Sequence, residues 1–423
     1  MASSNPEIPS GTDAVIRDKT IIVAVSASIA AYKAADLVSR LRQAGAAVLV
    51  CMTPSAARFV APLTMETLSG APVYLDHLGE GAPIRHVELA KRADAVVHAP
   101  ATADLIARLA AGRADDFPTA VSLSTRAPIL VVPAMETEMW LHPATRSNLD
   151  RLREYGYRIM PPAEGRLASG ASGLGRMQEP AEIFKYIKGL FAPRDLVGRK
   201  VLITAGPTRE RFDPVRYWSN YSSGKMGFAL AEAARDRGAE VCLISGPTHL
   251  PQPSGIKNIR IQTALEMYET CLQLAADFDL IIKAAAVADF RPANIHQEKV
   301  AKREGELRVE FVRNPDILRE LGQCKRQGQV LVGFSAESHG GLERAERKLC
   351  EKNCDYMVWN DIAEQGTGFG SDFNRVKILS KTGGIVELPL LDKYQTAMAI
   401  LDQVVAGMPS SRMGSVGTAM EPN

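Results

Sequence analysis

The feature that most limits how this chain can fold is an alternation of short β-branched apolar runs with helical stretches, and the sequence passes through it twice. TIIVAVS (20–26) suits a strand buried on both faces; a helical apolar pattern runs from Ile29 to Gln43, and Gly45 stops it. AVLVCM (47–52), DAVVHAP (94–100) and APILVVP (127–133) supply further buried strands, with DLIARLAAG (104–112) as a helix closed by Gly112. The stretch FAPRDLVGR (191–199) mixes Pro, Gly and charge, and the pattern then restarts. KVLITAG (200–206), EVCLISG (240–246) and QVLVGFSAES (329–338) read as strands, GKMGFALAEAARDRG (224–238) as a helix, and FDLIIKAAAVADF (278–290) as a strand running into a loop. Alternation of this kind builds parallel sheets covered on both faces. At 423 residues the chain exceeds one ordinary core. Two α/β domains are therefore expected, at 19–190 and 200–407, with a linker at 191–199 and disordered tails at 1–18 and 408–423.

Composition excludes more than it selects. A net charge of +2 gives no bulk electrostatic argument for nucleic acid or an anionic membrane as a partner. No apolar stretch approaches the roughly 20 residues that span a bilayer. The six cysteines show no Cys-x-x-Cys spacing, and a reduced cytoplasm is the simplest compartment.

Ligands of open α/β sheets bind beyond the carboxyl ends of strands, which directs attention to Ser26–Ile29, Pro100–Asp104, Gly206–Arg209, Ala285–Asp289 and Phe334–Glu337. The glycines near Ser223–Gly227 let backbone amides approach an anion at a helix start, and Lys225 adds a charge there. The spacing is neither the dinucleotide fingerprint nor Walker A, which argues against a nicotinamide dehydrogenase.

TAGPTRE (204–210), DPVRYWSNYSSGKMG (213–227), AAVADF (285–290) and NPDI (314–317) together resemble the phosphopantothenate–cysteine ligase family, over the whole second half. The resemblance implies a Rossmann-like ligase domain in which CTP and Mg2+ convert a carboxylate to an acyl-cytidylate that the cysteine amine attacks. Asn220 matches the asparagine that holds the acyl-nucleotide, and Lys299, in QEKVAK (297–302), the lysine that stabilises charge as it forms. An ammonium beside a developing pentacoordinate phosphorus supplies electrostatic stabilisation. Asp289 is implied to bind the nucleotide or its metal, and Phe334, Lys348 and Lys352 the base and phosphates. Ala301 stands where relatives commonly carry lysine; Lys302 and Arg303 follow it, so altered phosphate contacts are expected.

The first half resembles the flavin-containing cysteine decarboxylases, which implies a flavodoxin-like FMN domain and the domain order of the bifunctional enzymes. SASIAAYK (26–33) is similar to their flavin-phosphate loop, so Ser26 and Ser28, with Thr53, Pro100 and Thr102, are implied FMN contacts. His86, in RHVEL (85–89), matches the catalytic base. Two positions depart from the pattern. In PAMETEMW (133–140) the asparagine that binds the substrate carboxylate is replaced by Glu136, and in the flap GRLASGASGLGRM (165–177) the proton-donating cysteine aligns with Ser169. Two carboxylates at about 4 Å repel by roughly 4 kcal/mol at an effective dielectric of 20, and a hydroxyl is a much poorer acid than a thiol. Three outcomes follow for this domain: a different, non-carboxylate substrate; a reaction that stops at an enethiol; or a structural platform. The family also implies flavin-domain trimers joined by ligase-domain dimers. A specialised-pathway paralogue and a non-catalytic flavin- and nucleotide-binding assembly subunit are the alternative readings.

Overall fold

In a computed structural model, which describes residues 15–75, 85–301, 307–337, 341–361 and 370–409, every apolar run named above forms a sheet strand. The chain divides into two units between Ala192 and Pro193.

The first unit runs β1 (Thr20–Val25), α1 (Ala31–Gln43), β2 (Ala47–Met52), α2 (Pro62–Ser69), β3 (Val73–Tyr74), α3 (Arg85–Arg92), β4 (Ala95–Ala101), α4 (Ala103–Ala110), α5 (Phe117–Ser124) and β5 (Ile129–Pro133). It continues with α6 (Thr137–Leu141), α7 (Pro143–Glu154), β6 (Arg158–Ile159), the hairpin β7 (Ala163–Arg166) and β8 (Ser172–Arg176), and α8 (Pro180–Leu190). The sheet order is β3-β2-β1-β4-β5-β6, all parallel, which is the expected doubly wound, flavodoxin-like architecture. Alternate residues of β1 face opposite cores: Ile21, Val23 and Val25 meet Leu37, Leu41 and Ile183, while Ile22 and Ala24 meet Phe117 and Val121. Both faces are dry, so the strand shows no polar alternation.

The second unit contains β9 (Lys200–Ala205), the antiparallel pair β10 (Arg209–Arg211) and β11 (Tyr217–Ser219), α9 (Lys225–Asp236), β12 (Glu240–Ser245), β13 (Lys257–Arg260), α10 (Ala264–Ala275) and β14 (Leu280–Lys283). Then come the antiparallel ribbon β15 (Phe290–Pro292) and β16 (Phe311–Arg313), α11 (Ile317–Gln323), β17 (Val330–Glu337), α12 (Gly341–Glu351) and β18 (Tyr356–Asp361). β19 (Phe373–Asn374), β20 (Val376–Ser380), β21 (Ile385–Glu387), β22 (Leu391–Asp392) and α13 (Lys393–Ala406) complete it. Its sheet order is β13-β12-β9-β14-β17-β18-β20-β21; the first six strands are parallel, and β20 and β21 are added through two successive antiparallel pairings. The antiparallel extension by β20 and β21 was not legible as part of a nucleotide-sized domain.

Two segment boundaries differ from the sequence expectation. Ile16 is fully buried in the first core, so ordered structure begins inside the expected 1–18 tail. Leu196, 1% exposed, belongs to the second core, so most of 191–199 is part of that unit rather than a free linker. The tails proper, 1–14 and 410–423, lie outside the described residues.

Arg237 ties the 193–199 segment to the rest of the second unit. It is 1% exposed, and its guanidinium reaches Asp195 (2.8 Å), Asp402 (2.5 Å) and the Met398 carbonyl (3.2 Å). Arg237→Met removes hydrogen bonds to two charged groups that stay partly solvated, and should cost about 2–3 kcal/mol in urea unfolding. Removing both Asp195 and Asp402 strands the buried guanidinium, and should cost more, about 3–5 kcal/mol.

His98, on β4, is completely buried; its Nε2 lies 2.7 Å from Ser122 Oγ, which itself donates to the Pro118 carbonyl at 2.8 Å. The serine therefore accepts, and the imidazole is neutral with its proton on Nε2. Burial pulls its pKa down to about 4 from 6.5. The stability tied to this neutral ring is complete above pH 6.5 and is lost as pH falls toward 4. Between pH 7 and 5 the loss should be about 2 kcal/mol, and His98→Gln should flatten that part of the stability–pH curve.

Candidate active sites

In the first unit the site grows from the join between β1 and β4, where the strand order reverses. Ser26 is 1% exposed; its Oγ donates to the Pro100 carbonyl at 2.8 Å and accepts from the Thr102 backbone N–H at 3.0 Å. In this structure its hydroxyl straps the two strand ends together. Thr102 Oγ1 caps α4 by accepting from Leu105 N. Ser28 and Thr53 differ: each oxygen accepts a backbone N–H, from Ala30 and Ala56 at 3.2 Å. Neither hydroxyl donates to any described residue, so both protons are available to a ligand. α1 begins at Ala31, two residues later than the periodicity suggests, and without a side-chain cap.

His86 lies in the first turn of α3, half-buried, and its Nδ1 is enclosed with no hydrogen-bond partner among the described residues. An enclosed imidazole nitrogen without a protein partner is an open position for a ligand atom. These features fit a flavin phosphate at Ser28 and Thr53 and a base at His86.

The two departures from the family pattern meet. Ser169, at the tip of the β7–β8 hairpin, donates its hydroxyl to Glu136 Oε2 at 3.1 Å. The hairpin is seated by Met135 N donating to Gly175 O at 2.9 Å. Gly175 has φ of 146°, and a Cβ there would stand 2.1 Å from the Met135 carbonyl oxygen, so only glycine allows this approach. Lys33, 5% exposed, ties α1 to the base of the hairpin through the Met177 carbonyl (3.0 Å) and Glu179 (2.9 Å). Sequence reasoning missed Lys33; a lysine bordering the apolar stripe of a helix was the available signal.

In the second unit the loop after β14 is held by side chains from three directions. Asn220 Nδ2 donates to Val287 O (2.9 Å), Asn314 Nδ2 to Ala288 O (2.8 Å), and Ala288 N donates to Thr208 Oγ1 (3.1 Å). Asn220 also lines a cavity of about 610 Å³ with Arg209, Ser222, Ser223, Lys225 and His249. Lys225 pairs with Asp372 at 2.7 Å, and burial together with the Lys225 ammonium lowers Lys393 to about 8. Arg209 closes one of the strand-end segments singled out above, whereas His249 and Lys393 were not found from the sequence, because they come from separate elements. The glycines here serve packing first: a Cβ at Gly227 would stand 2.5 Å from the Ala205 Cβ, and one at Gly246 1.8 Å from the Pro207 carbonyl oxygen.

Lys299, Asp289, Phe334, Lys348 and Lys352 are not in that cavity wall. Lys348 lies 3.3 Å from Ser335 Oγ, Lys352 pairs with Asp316, and half-buried Lys283 stands within their field. Burial lowers the Lys283 pKa against the attraction of Asp316 and Asp289. Lys283 was read only as part of a strand. Phe334 packs into the core on the other face of β17 from Leu331. Asp289 is exposed, and its backbone carbonyl accepts from Asn314 N at 2.9 Å. Lys299 is exposed, with no hydrogen bond from its ammonium to any described residue; Lys302 and Arg303 lie outside the described residues. Among the described residues no three His, Cys, Asp or Glu side chains cluster as a metal site, so Asp289 would need nucleotide phosphates to complete a Mg2+ shell.

Residues 11–192 match the family described as flavoprotein, and residues 196–408 the DNA/pantothenate metabolism flavoprotein C-terminal domain. The chain is 45% identical over 398 residues to the coenzyme A biosynthesis bifunctional protein CoaBC of Bacillus subtilis (strain 168), covering 93% of this chain and 98% of that protein. It is 44% identical over 394 residues to the protein of the same name from Escherichia coli (strain K12), covering 92% and 97%. The crystal structure of the C-terminal domain of a coenzyme A biosynthesis bifunctional protein CoaBC is 42% identical, covers 50% of this chain and 97% of its own, and has a TM-score of 0.44. Flavoprotein unit, ligase-type unit, their order and near-complete coverage agree, and the chain belongs to the family of bifunctional coenzyme A biosynthesis proteins, in which a decarboxylase part precedes a phosphopantothenate–cysteine ligase part.

Proposed function

We propose that the second unit joins phosphopantothenate, or a closely related carboxylate, to cysteine through an acyl-cytidylate formed from CTP. The observation that carries this reading is the placement of Asn220, whose amide is anchored on the 284–290 loop at the mouth of a cation-lined cavity. One amide hydrogen is used on Val287 O; the second remains for the acyl carbonyl. Arg209 and Lys225 supply positive charge for the triphosphate, and Lys299 neutralises charge at the α-phosphorus. The substrate carboxylate oxygen bonds to that phosphorus as pyrophosphate leaves. The cysteine nitrogen then bonds to the acyl carbon, cytidine monophosphate departs, and the amine proton passes to solvent. Asp289 with the phosphates holds Mg2+. Lys348 and Lys352 contact the nucleotide phosphates, and Phe334 the base.

The first unit binds FMN, which supplies two-electron oxidation of a thiol-bearing carbon, while His86 acts as base. Ser169 commits its hydroxyl to Glu136, and this supports a changed outcome. The carboxylate of Glu136 disfavours an anionic substrate group, and Ser169 is a poor proton donor to an enethiolate. We therefore favour a thiol substrate without the usual carboxylate; an enethiol product is the second reading. The chain assembles through flavin-unit trimers and ligase-unit dimers, and exposed Tyr217 and Trp218, the latter edge to face with Phe311 at 5.2 Å, suit a buried ligase contact. Light scattering that gives a monomer rejects that assembly.

Incubation with CTP, Mg2+, phosphopantothenate and cysteine should release pyrophosphate and cytidine monophosphate; release of neither excludes the ligase. Glu136→Asn should tighten phosphopantothenoylcysteine binding by up to about a thousandfold if the repulsion is fully expressed. Combined with Ser169→Cys it should shift the product from enethiol to the reduced thiol, read by mass spectrometry. Wild-type protein that already makes the reduced thiol as fast as the double variant removes the case for altered chemistry.

A further inference from the structure

The segment that carries Lys299 runs outside the sheet, between β15 and β16, yet it is fastened at two points to one turn. Phe212 O accepts from His296 N at 2.9 Å, and the two rings meet edge to face at 5.1 Å. Asp213 Oδ2 accepts from Val300 N at 3.2 Å, while Arg216 Nη2 donates to Val300 O at 2.9 Å. The next residue toward the N-terminus from Val300 is Lys299.

Asp213 is placed for this task. It is 3% exposed; Oδ1 accepts from Val215 N (2.8 Å) and Arg216 N (2.7 Å), which forms the turn. Oδ2 takes the Arg216 guanidinium at 2.6 Å and 3.0 Å as well as Val300 N. One carboxylate oxygen thus builds the turn and the other builds the attachment. The hydrogen bond from Arg216, opposed by burial and helped by three backbone N–H groups, holds the Asp213 carboxyl well below the usual range, so the attachment stays charged.

We propose that Asp213 and Arg216 are positioning residues for the ligase step: they clasp the backbone on both sides of the Val300 peptide and thereby set where the Lys299 ammonium stands relative to Asn220, seven residues beyond Asp213. This rests on the reading of Lys299 as the group that neutralises the α-phosphorus. The two partners of the clasp and Asn220 belong to one short stretch, 213–220, so the lysine segment is indexed to the acyl-binding residue through a few covalent bonds and not through the distant sheet.

Asp213→Asn separates the clasp from the turn. The amide oxygen still accepts from Val215 N and Arg216 N, but the amide nitrogen presents a donor to Val300 N–H and to the guanidinium. In the full-length protein, with CTP, Mg2+ and phosphopantothenate, Asp213→Asn should lower kcat for pyrophosphate release by about 10- to 100-fold, the range a displacement of about 1 Å produces. KM for CTP should stay close to wild type, and the protein should remain folded at the assay temperature although its thermal midpoint falls with the lost Arg216 pairing. In a Lys299→Ala background the same substitution should cause no further loss, since the clasp acts only through that lysine. Should Asp213→Asn unfold the protein, Arg216→Met, which removes the bond to Val300 O from a half-exposed position, takes its place. Unchanged kcat in Asp213→Asn beside an impaired Lys299→Ala protein overturns the clasp and leaves the ligase reading standing. A full-sized additional loss in the Lys299→Ala background assigns Asp213 a structural role and also overturns it. Wild-type kcat in Lys299→Ala overturns the lysine reading itself and the clasp with it.

Discussion

Burial of both faces of a parallel sheet is the constraint on which the rest of the molecule depends. With Ile21 and Ile22 packed into separate cores, β1 has no solvent face, and the same holds for β9 with Val201 and Leu202. The only unpaired backbone groups left near such strands lie at their ends, and parallel direction gathers the carboxyl ends on one edge. Ser26, Pro100 and Thr102 meet there in one unit; Gly206, Ala285 and Ser335 stand there in the other.

Loops at that edge must satisfy their own polar groups, and side chains do most of it. Thr204, Thr208, Asn220 and Asn314 each bond a backbone group of 284–290, so the loop has a defined shape before any ligand arrives. The result is a preorganised edge with cations on either side: Arg209, Lys225 and Lys393 toward β12, and Lys283, Lys348 and Lys352 toward β17. Preorganisation of this kind is how a site stabilises developing charge without reorganising during the reaction.

The flavin-type unit shows how two substitutions acquire meaning together. Taken separately, glutamate for asparagine and serine for cysteine each look like a loss. Seated against each other across the hairpin, Glu136 and Ser169 form a hydrogen-bonded pair that keeps the flap tip engaged with the 135–137 segment. The seating of the hairpin needs glycine at 175 and at 173, where a Cβ would stand 2.4 Å from Thr137 Oγ1, so backbone shape and the Glu136–Ser169 pair are coupled in one small region.

Periodicity and composition by themselves determined the two α/β series, their central parallel strands and the edge where ligands belong, because a strand buried on both faces leaves an unbroken apolar run that its β-branched content, short length and flanking turn residues separate from a buried helix. Motif resemblance brought out Asn220, His86 and the departures at Glu136 and Ser169. Only the tertiary structure decided that Ser26 straps β1 to β4, that Ile16 and Leu196 belong to cores, that β20 and β21 extend the second sheet in the antiparallel sense, and that Asp213 reaches Val300. Those outcomes depend on which distant segments come within about 3 Å of one another, and hydrogen-bond partners 74 or 87 residues apart leave no periodic trace in the chain that a local pattern can carry.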